Sequence, residues 1–262
     1  MGVIMIRNAA GMPAIGVFAV EKLGTRMAHV AALVLATSLL GLSLLGVSAG
    51  LATAQDARQN EPGKFDFNVL ALSWSPSFCD SIGERAQQQP ECSERPYAFV
   101  VHGLWPQYEQ GFPEFCKVPA PRLDRNIISS MIDLMPAPRL IFREWDRHGT
   151  CSGLSARAYF DTVRKARAVI KIPAEYIELK AALTVTPNDV EQAFIKANPG
   201  LTANAISVGC DAQRLREVRV CLSKELGFRD CAEIDRRACR REQVLMPPVR
   251  SKQNSADAST PR

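Results

Sequence analysis

The sequence predicts an α+β domain in which a central antiparallel sheet is packed against helices and stapled by disulfide bridges. Three observations support this fold class. Apolar segments with strand-like alternation lie near residues 65–74 and 97–101 and again near 203–222. Segments with the apolar spacing of helices lie between them, over residues 123–197. The chain also contains eight cysteines, an even number that suits a disulfide framework.

The first 54 residues have the plan of a secretory signal peptide. Arg26 precedes an uncharged, apolar run from Val30 to Val47, and Ala52-Thr53-Ala54 offers a cleavage site before Gln55. An uncleaved membrane anchor is the alternative, because a run of this length can just span a bilayer. The cleavage-like site and the frequent Gly, Ser and Thr favour removal. We therefore expect an exported, periplasmic or extracellular protein without stable membrane association.

The rest of the chain is about 200 residues long, which suits one domain. We predict a catalytic domain over residues 55–245 and a disordered tail over 246–262. The chain after the predicted leader carries 29 basic and 26 acidic residues, a net charge of +3. This mild excess of positive charge permits a polyanionic substrate without indicating one. We expect the protein to be a monomer.

The first strands are predicted from apolar alternation. Phe65–Trp74 is apolar on both faces, which is typical of a buried central strand, and Ser75-Pro76-Ser77 ends or bends it. Residues 80–96 are polar and predict a surface loop. Tyr97–Val101 predicts a second strand with His102 at its end, where Gly103 allows a tight bend.

The later elements follow from spacing and capping residues. Tyr108–Pro121 is predicted as an ordered loop that covers the region around His102. A strand hairpin is expected over residues 203–210 and 215–222. Four helices are predicted, over Leu123–Leu134, Arg139–His148, Leu154–Ile170 and Pro187–Ala197.

All eight cysteines follow the predicted leader, which indicates an oxidising compartment. The chain has no Cys-x-x-Cys pair, so a zinc ribbon or a thioredoxin-like site is disfavoured. Sequence alone leaves the connectivity open. Sequential pairing is the simplest choice, and it joins Cys79 to Cys92, Cys116 to Cys151, Cys210 to Cys221 and Cys231 to Cys239.

Two of the three histidines, His102 and His148, lie beyond the predicted leader. On a helix Glu144 and His148 share a face, and Arg143 and Arg147 form a second pair displaced by one residue. The opposite side, with Ile141, Phe142 and Trp145, is predicted to be buried. Two imidazoles with cationic support suit phosphodiester cleavage, because one can accept a proton and the other can donate one near neutral pH.

Residues 99–107, which contain His-Gly-Leu-Trp-Pro, and residues 142–151, which contain Glu-Trp-x-x-His-Gly-Thr-Cys, resemble the two active-site segments of the ribonuclease T2 family. Weaker similarity extends from Phe65 to Cys231. Two positions depart from the family pattern. Arg143 stands where His or Trp is usual, and Arg147 stands where Lys is usual.

The resemblance implies a ribonuclease T2-like fold and an endoribonuclease that cleaves single-stranded RNA without a metal or other cofactor. The reaction passes through a 2′,3′-cyclic phosphate to a 3′-phosphate. The resemblance assigns His148 as the base and His102 as the acid, with Glu144 and Arg147 assisting at the phosphate. It also agrees with the Cys116–Cys151 and Cys210–Cys221 pairs. Substrate contacts are expected from Arg147 and Arg143, and a nucleobase pocket from Trp105 and Gln107.

Two alternatives compete with this interpretation. A non-catalytic secreted RNA-binding or signalling protein could use the same fold, but both histidines are present. A metal-dependent hydrolase could use Glu144 and His148 as ligands, but the chain lacks a His-x-x-x-His motif or a carboxylate-rich cluster. Taken singly, each candidate site residue is more often structural than catalytic. A Glu–Arg contact is usually a surface ion pair worth under ~1 kcal/mol.

Overall fold

A computed structural model describes residues 60–250 of the chain. The predicted leader lies outside these residues. The strands are β1 Phe67–Trp74, β2 Phe99–Gln107, β3 Leu183–Val185, β4 Ile206–Cys210, β5 Leu215–Leu222 and β6 Val244–Met246. The helices are α1 Ser75–Ser81, α2 Pro90–Ser93, α3 Arg125–Ser129, α4 Pro138–Arg147, α5 Ala156–Val169, α6 Pro187–Ala197 and α7 Ala232–Arg236.

Four strands form one antiparallel sheet in the order β2-β1-β5-β4. The central strand β1 is almost entirely buried, as its two apolar faces predict. One face of β1 presents Leu70, Leu72 and Trp74 to the main hydrophobic core. The other face presents Val69, Ala71 and Ser73, which lie opposite Cys221, Arg219 and Glu217 of β5. The α+β architecture with a central antiparallel sheet is therefore confirmed.

Helices α5 and α6 cover the apolar face of the sheet. Ser155 caps α5 by accepting a hydrogen bond from the backbone N–H of Ala158. Thr186 and Asp189 form a capping box at the start of α6, where Pro187 takes the first helical position. The predicted bounds of α6 are confirmed, and those of α5 agree within two residues.

The segment Ser75-Pro76-Ser77 ends β1 as predicted, because the strand stops at Trp74. Ser75 begins helix α1, where Pro76 fits the first turn of a helix. Two local predictions were wrong. Residues 80–96 contain the short helix α2 and a 3₁₀ turn rather than only loop. The helix expected over Leu123–Leu134 is regular only over α3, and turns follow it up to Leu134, whose carbonyl accepts a hydrogen bond from the backbone N–H of Val101.

The disulfides join Cys79 to Cys92, Cys116 to Cys151, Cys210 to Cys239 and Cys221 to Cys231. The expected Cys210–Cys221 and Cys231–Cys239 pairs were wrong. The β4–β5 hairpin is present, but Cys210 lies at its turn, opposite Leu215. Cys221 lies six residues further along β5, roughly 20 Å away at the rise of a strand, and a disulfide spans at most about 7 Å between Cα atoms.

The ordered chain continues beyond residue 245. Met246 belongs to β6, which pairs with β3. The Pro247 carbonyl accepts a hydrogen bond from the Trp74 indole, and the Val249 N–H donates to the Leu179 carbonyl. Residues 251–262 of the predicted tail lie outside the described part. No helix within residues 60–250 has the length and apolar character needed to cross a membrane.

Candidate active site

Strand β2 carries His102 in its interior rather than at its end. The predicted tight bend at Gly103 was wrong, since β2 continues to Gln107 along the edge of the sheet. Ala71 of β1 faces Gly103 and Leu72 faces Val101, so His102 is the extra residue of a bulge. Bulges redirect side chains and are frequent beside active sites. Pro106 is tolerated because an edge strand has one side without ladder hydrogen bonds.

Strand β5 adds two residues that sequence reasoning missed, Glu217 and Arg219. The Glu217 Oε2 atom lies 2.9 Å from Nδ1 of His102. Its Oε1 atom accepts from Nε and Nη2 of Arg219 at 2.8 and 2.6 Å. The available signal was an acidic and a basic residue two positions apart within an apolar strand, which places both side chains on one face.

Helix α4 brings Glu144 and His148 to the site. Both side chains are buried. Ile141 and Trp145 are buried as predicted, but the predicted burial of Phe142 was wrong, because its side chain is exposed. Trp145 holds the helix in place by donating a hydrogen bond to the Pro121 carbonyl and by packing against Tyr159. The helix ends at Arg147, and His148 follows as its C-terminal cap, with its N–H still bonded to the Glu144 carbonyl.

Trp105 contacts the catalytic candidates from both segments. Its indole N–H donates to Glu144 Oε2 at 2.7 Å. Its ring centroid lies 5.2 Å from that of His102 and 5.4 Å from that of His148. The Arg219 guanidinium lies 5.9 Å from the same ring. The indole therefore orients Glu144 and separates the two imidazoles, in addition to lining the cavity.

The two arginines of α4 differ in their surroundings. Arg147 forms an ion pair with Glu114 at 2.8 Å, and its guanidinium lies 6.0 Å from the Phe115 ring. Arg143 is exposed and forms no ion pair within the described part of the chain. Both guanidinium groups line the same cavity as the two histidines. Arg147 is thus held in place, whereas Arg143 is a freer positive charge.

The surroundings shift the pKa values of the two imidazoles in opposite directions. Burial lowers the pKa of His102, but the hydrogen bond to Glu217 and the charges of Glu144 and Glu217 outweigh it and raise the pKa above its usual value. Burial, reinforced by Arg147, His102 and Arg143, lowers the pKa of His148 to about 3. Within residues 60–250 the buried Nδ1 atom of His148 has no hydrogen-bond partner. His102 therefore keeps its proton to higher pH than an ordinary imidazole, whereas His148 is neutral near neutral pH.

The carboxylates of the site also differ. Burial raises the pKa of Glu144, although His102, the Trp105 hydrogen bond, Arg143 and Arg147 oppose this effect. Burial also raises the pKa of Glu217, but the His102 hydrogen bond and Arg219 outweigh it and hold the pKa at about 2. Glu217 is therefore ionised throughout the useful pH range, whereas Glu144 lies closer to gaining a proton.

These residues surround a cavity of about 280 Å³. It is lined by His102, Trp105, Gln107, Phe112, Arg143, Glu144, Arg147, His148, Glu217, Arg219, Ile234 and Arg237. The Gln107 side chain is buried and donates to the Pro106 carbonyl. A second cavity of about 400 Å³ includes Gln89 and Glu91 and shares His102 and Arg143 with the first. All seven predicted site residues therefore converge on one cavity.

The described residues include no group of three or more His, Cys, Asp or Glu side chains that could hold a metal ion. The chemistry of the cavity is instead that of a proton donor, a proton acceptor and several guanidinium groups. Such a set can protonate a leaving group, deprotonate a nucleophile and stabilise negative charge on a phosphoryl group.

Comparison with known proteins gives the family relationship of the chain and the likeness of its fold. The sequence profile of the ribonuclease T2 family matches residues 65–231. A ribonuclease of Aeromonas hydrophila is 34% identical over 64% of this chain and 76% of its own. Ribonuclease I of Escherichia coli K12 is 26% identical over 72% of this chain and 85% of its own. The fold resembles an RNase-related protein from Calystegia sepium, with a TM-score of 0.57, 22% identity and coverage of 71% of this chain and 98% of that one.

Proposed function

Because the chain belongs to the ribonuclease T2 family, we propose that it cleaves single-stranded RNA in two steps without a metal ion. The observation that carries the proposal is one cavity holding two imidazoles of opposite protonation preference beside two arginines. The first step is an internal transesterification to a 2′,3′-cyclic phosphate. The second is hydrolysis of that intermediate to a 3′-phosphate.

His148 is the base of the first step. Its neutral imidazole accepts the proton of the ribose 2′-OH while the 2′-oxygen bonds to the adjacent phosphorus. The low pKa of about 3 keeps this imidazole neutral in mild acid as well as at neutral pH.

His102 is the acid of the first step. It gives its proton to the departing 5′-oxygen as the phosphorus–oxygen bond breaks. In the second step the roles reverse. His102 accepts a proton from water as the water oxygen bonds to phosphorus, and His148 returns a proton to the 2′-oxygen as the bond from phosphorus to that oxygen breaks. The raised pKa of His102 supports this assignment, because the ring holds its proton to higher pH than an ordinary imidazole.

The transition state gains negative charge on its phosphoryl oxygens. Arg147 and Arg143 lie beside the histidines and can donate hydrogen bonds to those oxygens. Glu144 lies in the same cavity, and its raised pKa means that it gains a proton more readily than an ordinary carboxylate beside a phosphate. Trp105 and Gln107 line the cavity with Phe112 and supply surface for a nucleobase.

A chimeric oligonucleotide gives the sharpest test of this reaction. We expect a DNA strand with one internal ribonucleotide to be cut only on the 3′ side of that ribose, with a cyclic phosphate that later opens. The same strand with a 2′-O-methyl group at that position is the matched control and should remain intact. Cleavage of the all-DNA strand, or loss of RNA cleavage in EDTA, would contradict the proposal.

We also propose that the protein is exported and acts as a monomer in a periplasm or outside the cell. The four disulfides support an oxidising compartment. Residues 1–54 have the pattern of a leader, and removal of that leader should give a mature chain that begins at Gln55. Intact mass and N-terminal sequencing of the exported protein test the cleavage site. Recovery of the full-length chain in membranes would contradict it.

A further inference from the structure

Glu217 is a buried carboxylate that lies outside the two recognised sequence segments. Its side chain makes two kinds of contact at once. Oε2 receives the hydrogen bond from Nδ1 of His102 at 2.9 Å, and Oε1 receives two from Arg219. The paired guanidinium keeps Glu217 ionised and fixes the plane of its carboxylate. Such a carboxylate can accept hydrogen bonds but cannot donate them.

This contact determines which imidazole nitrogen is available for chemistry. Because Glu217 only accepts, the hydrogen lies on Nδ1 of His102 in both protonation states of the ring. The transferable proton then lies on Nε2, which is 3.7 Å from Glu144 Oε1. After the transfer, the neutral ring keeps its Nδ1 proton and leaves Nε2 free to accept one. A carboxylate that holds one ring nitrogen in this way sets the tautomer and the orientation of the other.

We propose that Glu217, clamped by Arg219, is a positioning residue that holds His102 as the proton donor for the leaving 5′-oxygen. This inference rests on the proposed function. In the first step the Nε2 proton passes to the 5′-oxygen while the bond from phosphorus to that oxygen breaks. In the second step Nε2 takes a proton from water while the water oxygen bonds to phosphorus. Glu217 exchanges no proton and touches no substrate atom.

Several charged or titratable groups face His102 from the surrounding elements. Glu217 and Arg219 approach from β5, Glu144 and Arg143 from α4, and Glu91 of α2 contributes its charge from the second cavity. His148 follows α4. Of these groups Glu217 forms the direct hydrogen bond to the ring. Glu144 lies further away, and its own carboxylate is held by Trp105.

The variant Glu217→Gln tests this role, because it removes the charge and keeps the size of the side chain. We expect the alkaline limb of the kcat/KM profile to move down by about one pH unit or more, since the pKa of His102 loses its main support. kcat should fall by roughly tenfold to a hundredfold, with KM for RNA within about twofold. Glu217→Asp retains the charge and should bring the limb part of the way back.

Imidazole NMR of the same proteins gives a reading that does not depend on catalysis. The His102 titration should move to lower pH in Glu217→Gln, and the fraction of the Nδ1–H tautomer should fall. Glu91→Gln is the matched control, because Glu91 is a buried carboxylate that faces His102 without bonding to it. The shift of the His102 titration in Glu91→Gln should be clearly smaller than that in Glu217→Gln.

An unchanged His102 titration and an unchanged alkaline limb in Glu217→Gln would overturn the positioning role. So would an equal shift in Glu91→Gln. In either case the unmodified protein would still cleave RNA, and the proposed function would stand. Failure of the unmodified protein to cut RNA is a different result, which overturns the proposed function together with the role given to Glu217.

Discussion

Gly103 is the residue that lets the two active-site segments meet. A Cβ atom at this position would overlap the carboxylate of Glu144 and the indole nitrogen of Trp105. The hydrogen bond between those two side chains occupies the space that any larger residue would need. Gly103 is therefore required for a close approach between a strand and a buried carboxylate, rather than for the tight turn that its sequence context predicts.

We expect Gly103→Ala to lower kcat/KM on RNA by about a hundredfold or more, because displacement of catalytic groups by ~1 Å can have an effect of this size. Steady-state assays check the prediction, and circular dichroism checks that the variant is folded. Gly227→Ala is the matched control, since its new Cβ would meet nothing closer than Ser223 at 3.8 Å. Equal activity of the two variants would contradict the close-approach role.

Arg143 acts on both imidazoles through its charge. It lowers the pKa of His102 and of His148, although burial is the larger cause for each ring. Removing this charge in Arg143→Gln should therefore raise both pKa values, and both limbs of the pH–rate profile should move to higher pH. A lost phosphate contact should also reduce the salt slope of log(1/KM) by somewhat less than about one.

Profiles of kcat/KM against pH at two salt concentrations check this prediction for Arg143. Arg157→Gln is a suitable control, because Arg157 is an exposed residue of α5, on the helix layer that covers the apolar face of the sheet. Coincident limbs and salt slopes for Arg143→Gln and the unmodified protein would show that Arg143 is only a solvated surface charge.

At the scale of elements, the sequence predicted strands and helices well where the signal was local. The capping box of α6 and the alternation of β1 are examples. Features that depend on distant pairing were missed. The bulge at His102 arises from the register of β1 against β2. Glu217 contacts His102 across 115 positions of sequence, and no local sequence pattern around either residue predicts that contact. The partners of Cys210 and Cys221 depend in the same way on the tertiary fold.

The bridge between Cys116 and Cys151 supports the end of α4. Cys151 follows His148 within one 3₁₀ turn, and the Phe115 N–H donates to the Arg147 carbonyl beside it. The double variant Cys116→Ser with Cys151→Ser should lose about 3–4 kcal/mol of unfolding free energy and at least about tenfold in activity per folded molecule. Denaturant titration and RNA assays well below the transition measure the two effects separately.

The control for this variant is the bridge between Cys79 and Cys92. Replacing Cys79 and Cys92 by Ser should cost about 3 kcal/mol of unfolding free energy, because that bridge spans 13 residues of sequence. It joins α1 to α2, and its cysteines belong to a small hydrophobic cluster that is separate from the main core. Its activity per folded molecule should stay within about twofold of the unmodified protein. Equal losses of activity in both variants would show that the bridges act only through global stability.

At the scale of the whole molecule, stability and chemistry occupy opposite faces of one sheet. The apolar face of β1 packs under α5 and α6 in the main core. The other face combines a small apolar cluster around Phe67, Val69 and Ile234 with the charged residues of the cavity. The polar groups of the site can therefore be changed without opening the main core, which is why the variants above are expected to fold.

A ribonuclease that is fully active where it is synthesised would meet the RNA of its own cell. The bridge at Cys151 bears on this risk. Under the proposed export, thiols stay reduced at the site of synthesis, so a new chain lacks the covalent tie at the end of α4. We expect that reduced chain to cut RNA at least about tenfold more slowly than the oxidised chain. The bond that stabilises the domain would then also limit its activity before export.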